Sequence, residues 1–171
     1  MVASCLIVID VQTGFVNDWT REIPAKVGML QRDYDKVYVS RFSNPEGSMH
    51  RRLIGWNRFA PGSADTALAF DPVPGAEVID KTIYSCVTPA LLATLTAGGI
   101  EQVDLCGIAT DGCVLKTAVD LFEAGIRPLV LADFCASHGG PRCHEAGLLL
   151  LRRFIGARQV VEADTALETE S

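Results

Sequence analysis

Three side chains able to do covalent chemistry stand where apolar runs of this sequence end. Asp10 closes CLIVID, Lys81 follows EVID, and Cys113 follows VDLCGI after a break at Gly107. A thiol, a carboxylate and an ammonium brought together make a nucleophile unit: the carboxylate takes the thiol proton, the ammonium holds the anion and fixes the carboxylate, and the sulfur attacks. Cys113 has the strongest local case. In VDLCGIATDGCV, Val103 to Val114, an apolar strand runs into Gly107, Thr110 or Asp111 stands where an N-cap is needed, and helical spacing continues from Val114 to Ala124. Cys113 then falls in the first helical turn. Unpaired N–H groups and the positive end of the macrodipole favour an anion there, so a thiolate populated below the free-thiol pKa of about 8.5 is expected.

The elements that must position these groups follow from the pattern of apolar runs. CLIVID (5–10), KVYVS (36–40), EVID (77–80), VDLCGI (103–108), PLVLAD (128–133) and QVVEA (159–163) read as six strands. Helical patterns lie between them near 22–34, 47–59, 89–98, 111–125 and 143–155. Nearly continuous apolar strands alternating with helices predict a doubly wound α/β fold, a mainly parallel sheet covered on both faces. Ligands bind at the carboxyl ends of such strands, which puts Asp10, Lys81 and Cys113 on one edge.

Composition bounds the rest. The chain has 171 residues, 49% hydrophobic and 21% charged, which suits one globular domain burying roughly two thirds of its unfolded surface, with a frayed acidic tail over 162–171. A net charge of −6 gives no footprint for nucleic acid or anionic lipid. The opening MVASCLIVID has no basic n-region, and its apolar run is too short for a signal peptide or membrane span. Six cysteines without a C-x-x-C pair, four of them in or beside apolar stretches, point to reduced thiols and a cytoplasmic protein.

Three blocks then carry a family resemblance. VIDVQTGFVN around Asp10, DKTIYSCV around Lys81 and GIATDGCVLKTAVDLFEAG around Cys113 resemble the signature blocks of the isochorismatase-like cysteine hydrolases, and the likeness extends from about residue 5 to 161 through VLADFCAS and HEAGLLLL. The resemblance implies a three-layer αβα fold around six mainly parallel strands in Rossmann-like order. It implies Asp10 as general base, Lys81 as its partner and Cys113 as nucleophile. It also implies a non-proline cis peptide between Ile108 and Ala109, with the backbone N–H groups of Ala109 and Cys113 forming an oxyanion hole; losing one such donor typically costs about 3 kcal/mol of transition-state stabilisation. Family members act on small molecules and form dimers or tetramers, so a homo-oligomer without nucleic-acid or membrane partners is expected. Retention of Cys113 favours a C–N substrate (amide, carbamoyl or ureido) cleaved through a thioester, over the vinyl ether of isochorismate.

Departures from the family refine this. Nicotinamidases of the family carry an Asp-x-His metal pattern after the second strand, whereas Arg41, Phe42 and Ser43 stand there in this chain. His50 is then a lone imidazole and is read as a surface helix residue. Cys135, His138, Cys143 and His144 resemble a zinc knuckle in spacing, but adjacent Cys143 and His144 diverge on a helix, so neither a metal nor a cofactor is expected. The connection 42–76 is long enough for a lid or contact surface. Its Met49, Leu53, Trp56 and Phe59 recur as a packing stripe, and Arg51, Arg52 and Arg58 read as a solvated face rather than a carboxylate site. Phe15 and Tyr84, flanking the triad positions, are the expected pocket walls. Two rival classes remain. DVQTG resembles the aspartate motif of haloacid dehalogenase-type phosphatases, but Gln12 replaces the second Asp that such chemistry needs. A redox sensor would use Cys113 without needing Asp10 or Lys81.

Overall fold

Five consecutive buried residues, Cys5–Ile9, form the first strand, β1, and their burial on both faces reflects its place in the middle of the sheet. The computed structural model describes residues 3–162, so the expected tail, apart from Glu162, and Ala163 of the last expected strand lie outside the described residues. β2 (Lys36–Phe42), β3 (Glu77–Lys81), β4 (Gln102–Ile108), β5 (Arg127–Ala136) and β6 (Val160–Val161) complete a six-stranded sheet in the order β3-β2-β1-β4-β5-β6. Every named pairing is parallel. The chain moves outward from β1 to β2 and β3, then returns to the other side of β1 with β4. The carboxyl end of β1 is therefore the point where strand order reverses, which is where doubly wound sheets open a crevice. Among the described residues no helix is long and apolar enough to cross a membrane.

The helices are α1 (Ile23–Leu30), α2 (Met49–Ile54), α3 (Pro89–Ala97), α4 (Leu115–Glu123) and α5 (Pro141–Ile155). Three differ from the spacing-based expectation for physical reasons. The 47–59 helix shrinks to α2, because Gly55 adopts φ 72 and its N–H closes back on the His50 carbonyl, ending the helix in a left-handed cap. The 111–125 helix starts only at Leu115, after a single π turn over Thr110–Val114. Neither Thr110 nor Asp111 caps it: the Ala109 carbonyl accepts from Gly112 and Val114, and the Thr110 hydroxyl lies 2.7 Å from His144 Nδ1. α5 begins two residues early, at Pro141, whose fixed φ suits a first helical position.

Two glycines permit close approaches that position the site. Gly107, at φ 122 in β4, sits so close to β1 that a Cβ would lie 2.1 Å from the Ile9 carbonyl oxygen. Gly147 of α5 presses on the π turn, where a Cβ would come within 2.7 Å of the Asp111 nitrogen.

The 42–76 connection folds back over the ends of β1 and β2. The Gln12 side chain, fully buried, bonds the Phe42 and Thr66 carbonyls and accepts from the Phe42 N–H, while Asn44 binds the Trp56 and Arg58 carbonyls. The expected apolar stripe is divided by this path. Met49 and Leu53 are exposed, whereas Trp56 is half-buried and Phe59 fully buried against Phe15 at 4.1 Å between ring centroids.

Candidate active site

The end of β1 turns sharply, with Asp10 at φ 47, a left-handed conformation that Asp tolerates better than most residues. Its carboxylate is fully buried and held from two sides. Ser40 Oγ, on the neighbouring strand β2, donates to Oδ1 at 2.7 Å, and Lys81 Nζ, at the end of β3, lies 2.7 Å from Oδ2. The same ammonium donates to the carbonyls of Ile83 at 3.0 Å and Tyr84 at 2.9 Å, and stands 3.6 Å from Cys113 Sγ. Asp10, Lys81 and Cys113 thus meet at one point, although each reaches it from a different strand end.

The electrostatics of that point overturn one expectation. Burial pushes the Cys113 thiol well above its usual value of 9.0, the Asp10 carboxylate adds to the rise, and Lys81 only partly opposes it. The half-charge of a helix end favours a thiolate, but desolvation penalises it more strongly in a closed site. Burial alone would lower Lys81, but Asp10 and Cys113 around it keep it above its ordinary range and charged. The resting arrangement is a protonated thiol beside an ion pair. Alkylation of Cys113 by iodoacetamide, followed on its peptide by mass spectrometry, is therefore expected to rise with a midpoint above 9.0. Asp10→Asn removes the carboxylate that raises the thiol and should bring the midpoint down. A wild-type midpoint below about 8.5 would restore the helix-start reading instead.

Above the sulfur lies a cavity of about 380 Å³, a volume suited to a small molecule. Phe15, Phe42, Trp56 and Tyr84 line it, together with Ile54, Ala109, Gly112 and Cys113. Phe15 and Tyr84, the two expected pocket residues, both border this cavity. The Ile108–Ala109 peptide is cis, and Ala109 and Cys113 both border the cavity. Five further lining side chains escaped the reading of the sequence: Phe42, His50, Ile54, Trp56 and His138.

His50 is a correction. It is only 8% exposed, packed edge-on to Phe42 at 5.1 Å and Tyr84 at 5.0 Å, because α2 turns it inward under the returning loop rather than out to solvent. Burial, and then the charge on Lys81, lower its basicity. The zinc-knuckle spacing disperses in three dimensions. Cys135 is buried in β5, His138 packs on Phe15 in the cavity, and His144 bonds Thr110; among the described residues no three His, Cys, Asp or Glu side chains group around one point. The arginines are mostly occupied: Arg51 binds the Asn44 carbonyl and Arg58 pairs with Asp65, while Arg52 is exposed.

Known proteins resemble this chain in sequence and in fold. Ureidoacrylate amidohydrolase RutB of Methylorubrum extorquens is 30% identical over 161 residues, covering 91% of this chain and 62% of that protein. Mouse isochorismatase domain-containing protein 2B is 38% identical over 63 residues, 37% of this chain and 30% of that protein. The chain therefore spans less than two thirds of these relatives. Among solved structures, nicotinamidase PncA from Bacillus subtilis superposes with a TM-score of 0.81 at 24% identity, over 95% of this chain and all of that one. The zinc complex of Pyrococcus horikoshii pyrazinamidase gives 0.79 at 24% identity, over 94% and 98%. These structural likenesses speak for the fold. The isochorismatase domain family matches residues 4–160, so the chain belongs to that family.

Proposed function

We propose that the protein is a cysteine hydrolase that cleaves a C–N bond of a small amide, carbamoyl or ureido compound through a thioester. The observation that carries this reading is the single ammonium of Lys81 lying 2.7 Å from the Asp10 carboxylate and 3.6 Å from Cys113 Sγ, at the floor of a cavity of small-molecule size. The ureidoacrylate amidohydrolase activity carried in the name of the relative from Methylorubrum extorquens supports the reaction class.

The thiol proton passes to Asp10 as sulfur adds to the substrate carbonyl, so charge moves onto the carbonyl oxygen and no free thiolate has to persist in the closed site. This is the step that a raised thiol pKa calls for. The backbone N–H groups of Ala109 and Cys113 are the proposed donors to that oxygen; a helix leaves its first-turn donors without intrahelical partners. Asp10 returns the proton to the leaving nitrogen, the C–N bond breaks, and ammonia or an amine departs. Water then adds to the thioester with Asp10 taking its proton, the C–S bond breaks, and Asp10 reprotonates the sulfur. Amide and water are converted to acid and amine. Side chains and water carry every step, and Lys81 stays charged throughout.

Acid quenching during turnover of a panel of small amides, carbamoyl and ureido compounds should reveal, by intact mass, an acyl group on the peptide containing Cys113. Asp10→Asn should form little of the adduct, since the thiol proton then has no acceptor in the step that makes it. Turnover that proceeds at equal rate in Cys113→Ala would overturn the covalent mechanism.

A further inference from the structure

The cavity says more about its ligand than size. Its two imidazoles, His50 and His138, have no hydrogen-bond partner among the described residues, and His50 is more than nine-tenths buried while lining the open space. No Arg or Lys side chain is among the lining residues. The nearby cations are already engaged. Lys81 has the Asp10 carboxylate and two carbonyls, Arg58 makes a two-pronged pair with Asp65, and Arg51 places two nitrogens on the Asn44 carbonyl. The remaining wall combines the aromatic rings of Phe15, Phe42, Trp56 and Tyr84 with Ile54 and the small residues around Cys113.

A carboxylate entering such a site would lose its water and find no Arg or Lys among the side chains that line it. Burying an uncompensated charge costs far more than burying a neutral polar group. An imidazole kept basic-poor by burial offers one donor and one acceptor and suits a neutral partner. Aromatic faces complement a flat body.

Resting on the cysteine hydrolase reading, we propose that this pocket selects uncharged, planar amides or ureides and rejects those carrying a carboxylate, with His50 hydrogen-bonding a second polar atom of the substrate. The class follows from which groups line the cavity and which nearby charges are spent.

The test uses matched pairs that differ in one carboxylate, benzamide against 3-carbamoylbenzoate and phenylurea against 3-ureidobenzoate, with ammonia release compared in wild type and Cys113→Ala. Cys113-dependent kcat/KM should favour the neutral member by at least about a hundredfold. His50→Phe, which keeps the packing, should raise KM for pyridine carboxamides over that for benzamide by about fivefold, and His50→Gln, which keeps a donor and an acceptor, should recover most of that loss. Cys113-dependent turnover that favours the carboxylates would overturn the inference and leave the hydrolase reading standing. Absence of Cys113-dependent turnover would tell against the hydrolase reading, and a turnover-free measurement then decides the pocket. The ratio of Cys113 alkylation rates by iodoacetamide and iodoacetate should exceed that of glutathione by at least about thirtyfold. A ratio equal to that of glutathione overturns the selection.

Discussion

Cys113→Ala is expected to lower ammonia release from any accepted amide at least about ten-thousandfold, and Asp10→Asn to lower it between about a hundredfold and ten-thousandfold. The two numbers differ because the residues fail differently. Without sulfur there is no covalent route, and what remains is binding and the oxyanion donors. Without the carboxylate, the thiol keeps its place beside Lys81, but its proton has no acceptor and the leaving nitrogen no donor. Since both act in the same step, the double variant should be no slower than Cys113→Ala alone. The comparison is made at matched folded fraction, checked by thermal melting, because Asp10 is fully buried and ion-paired. Loss of the two activities as independent, multiplying factors would mean that Asp10 and Cys113 do not form one unit.

Gly107→Ala is expected to destabilise the fold by more than about 4 kcal/mol, enough to leave little soluble folded protein. The cause is backbone against backbone. A Cβ at Gly107 would lie 2.1 Å from the Ile9 oxygen and 2.8 Å from its nitrogen, and the φ of 122 is itself outside what an L side chain accepts. Neither strand can yield, since β1 and β4 are paired at this register, Ile9 with Gly107, in the middle of the sheet. Gly75→Ala provides the control: its φ is also positive, at 88, but its Cβ would meet nothing within 4 Å. Only the conformational cost of about 1–2 kcal/mol is expected there, read from urea unfolding. Equal losses at the two positions would show that the close approach of β1 and β4 is not what Gly107 serves.

The parallel sheet was legible because its strands, Cys5–Ile9 above all, are apolar without interruption, and a strand buried on both faces has little other pattern to show. Asp10, Lys81 and Cys113 were legible for a related reason: polar residues that close apolar runs stand out, and parallel topology places all such ends together. Beyond Phe15 and Tyr84, the cavity walls were not. His50 and Trp56 sit in a connection whose path is set by the side-chain amides of Gln12 and Asn44 holding backbone groups far along the chain. Periodicity carries no trace of bonds of that kind. Gly55 likewise ended α2 five residues short of the expected helix by adopting a left-handed turn, which divided the stripe of Met49, Leu53, Trp56 and Phe59 between solvent and the buried interior. The direction of the Cys113 shift failed because a helix-end argument is local, while desolvation depends on everything packed around the sulfur.

The order in which the chain supplies its reactive groups has one more consequence. Seventy-one residues separate Asp10 from Lys81, and a further 32 separate Lys81 from Cys113. A partly folded chain with its helices formed still lacks the assembled site, because no local segment contains two of the three groups. Loop closures of this span come late and slowly compared with helix formation. The three groups therefore come together only once β1 has found β2 and β4 and β2 has found β3, and a buried, protonated thiol is what the finished sheet delivers rather than what the unfinished chain exposes.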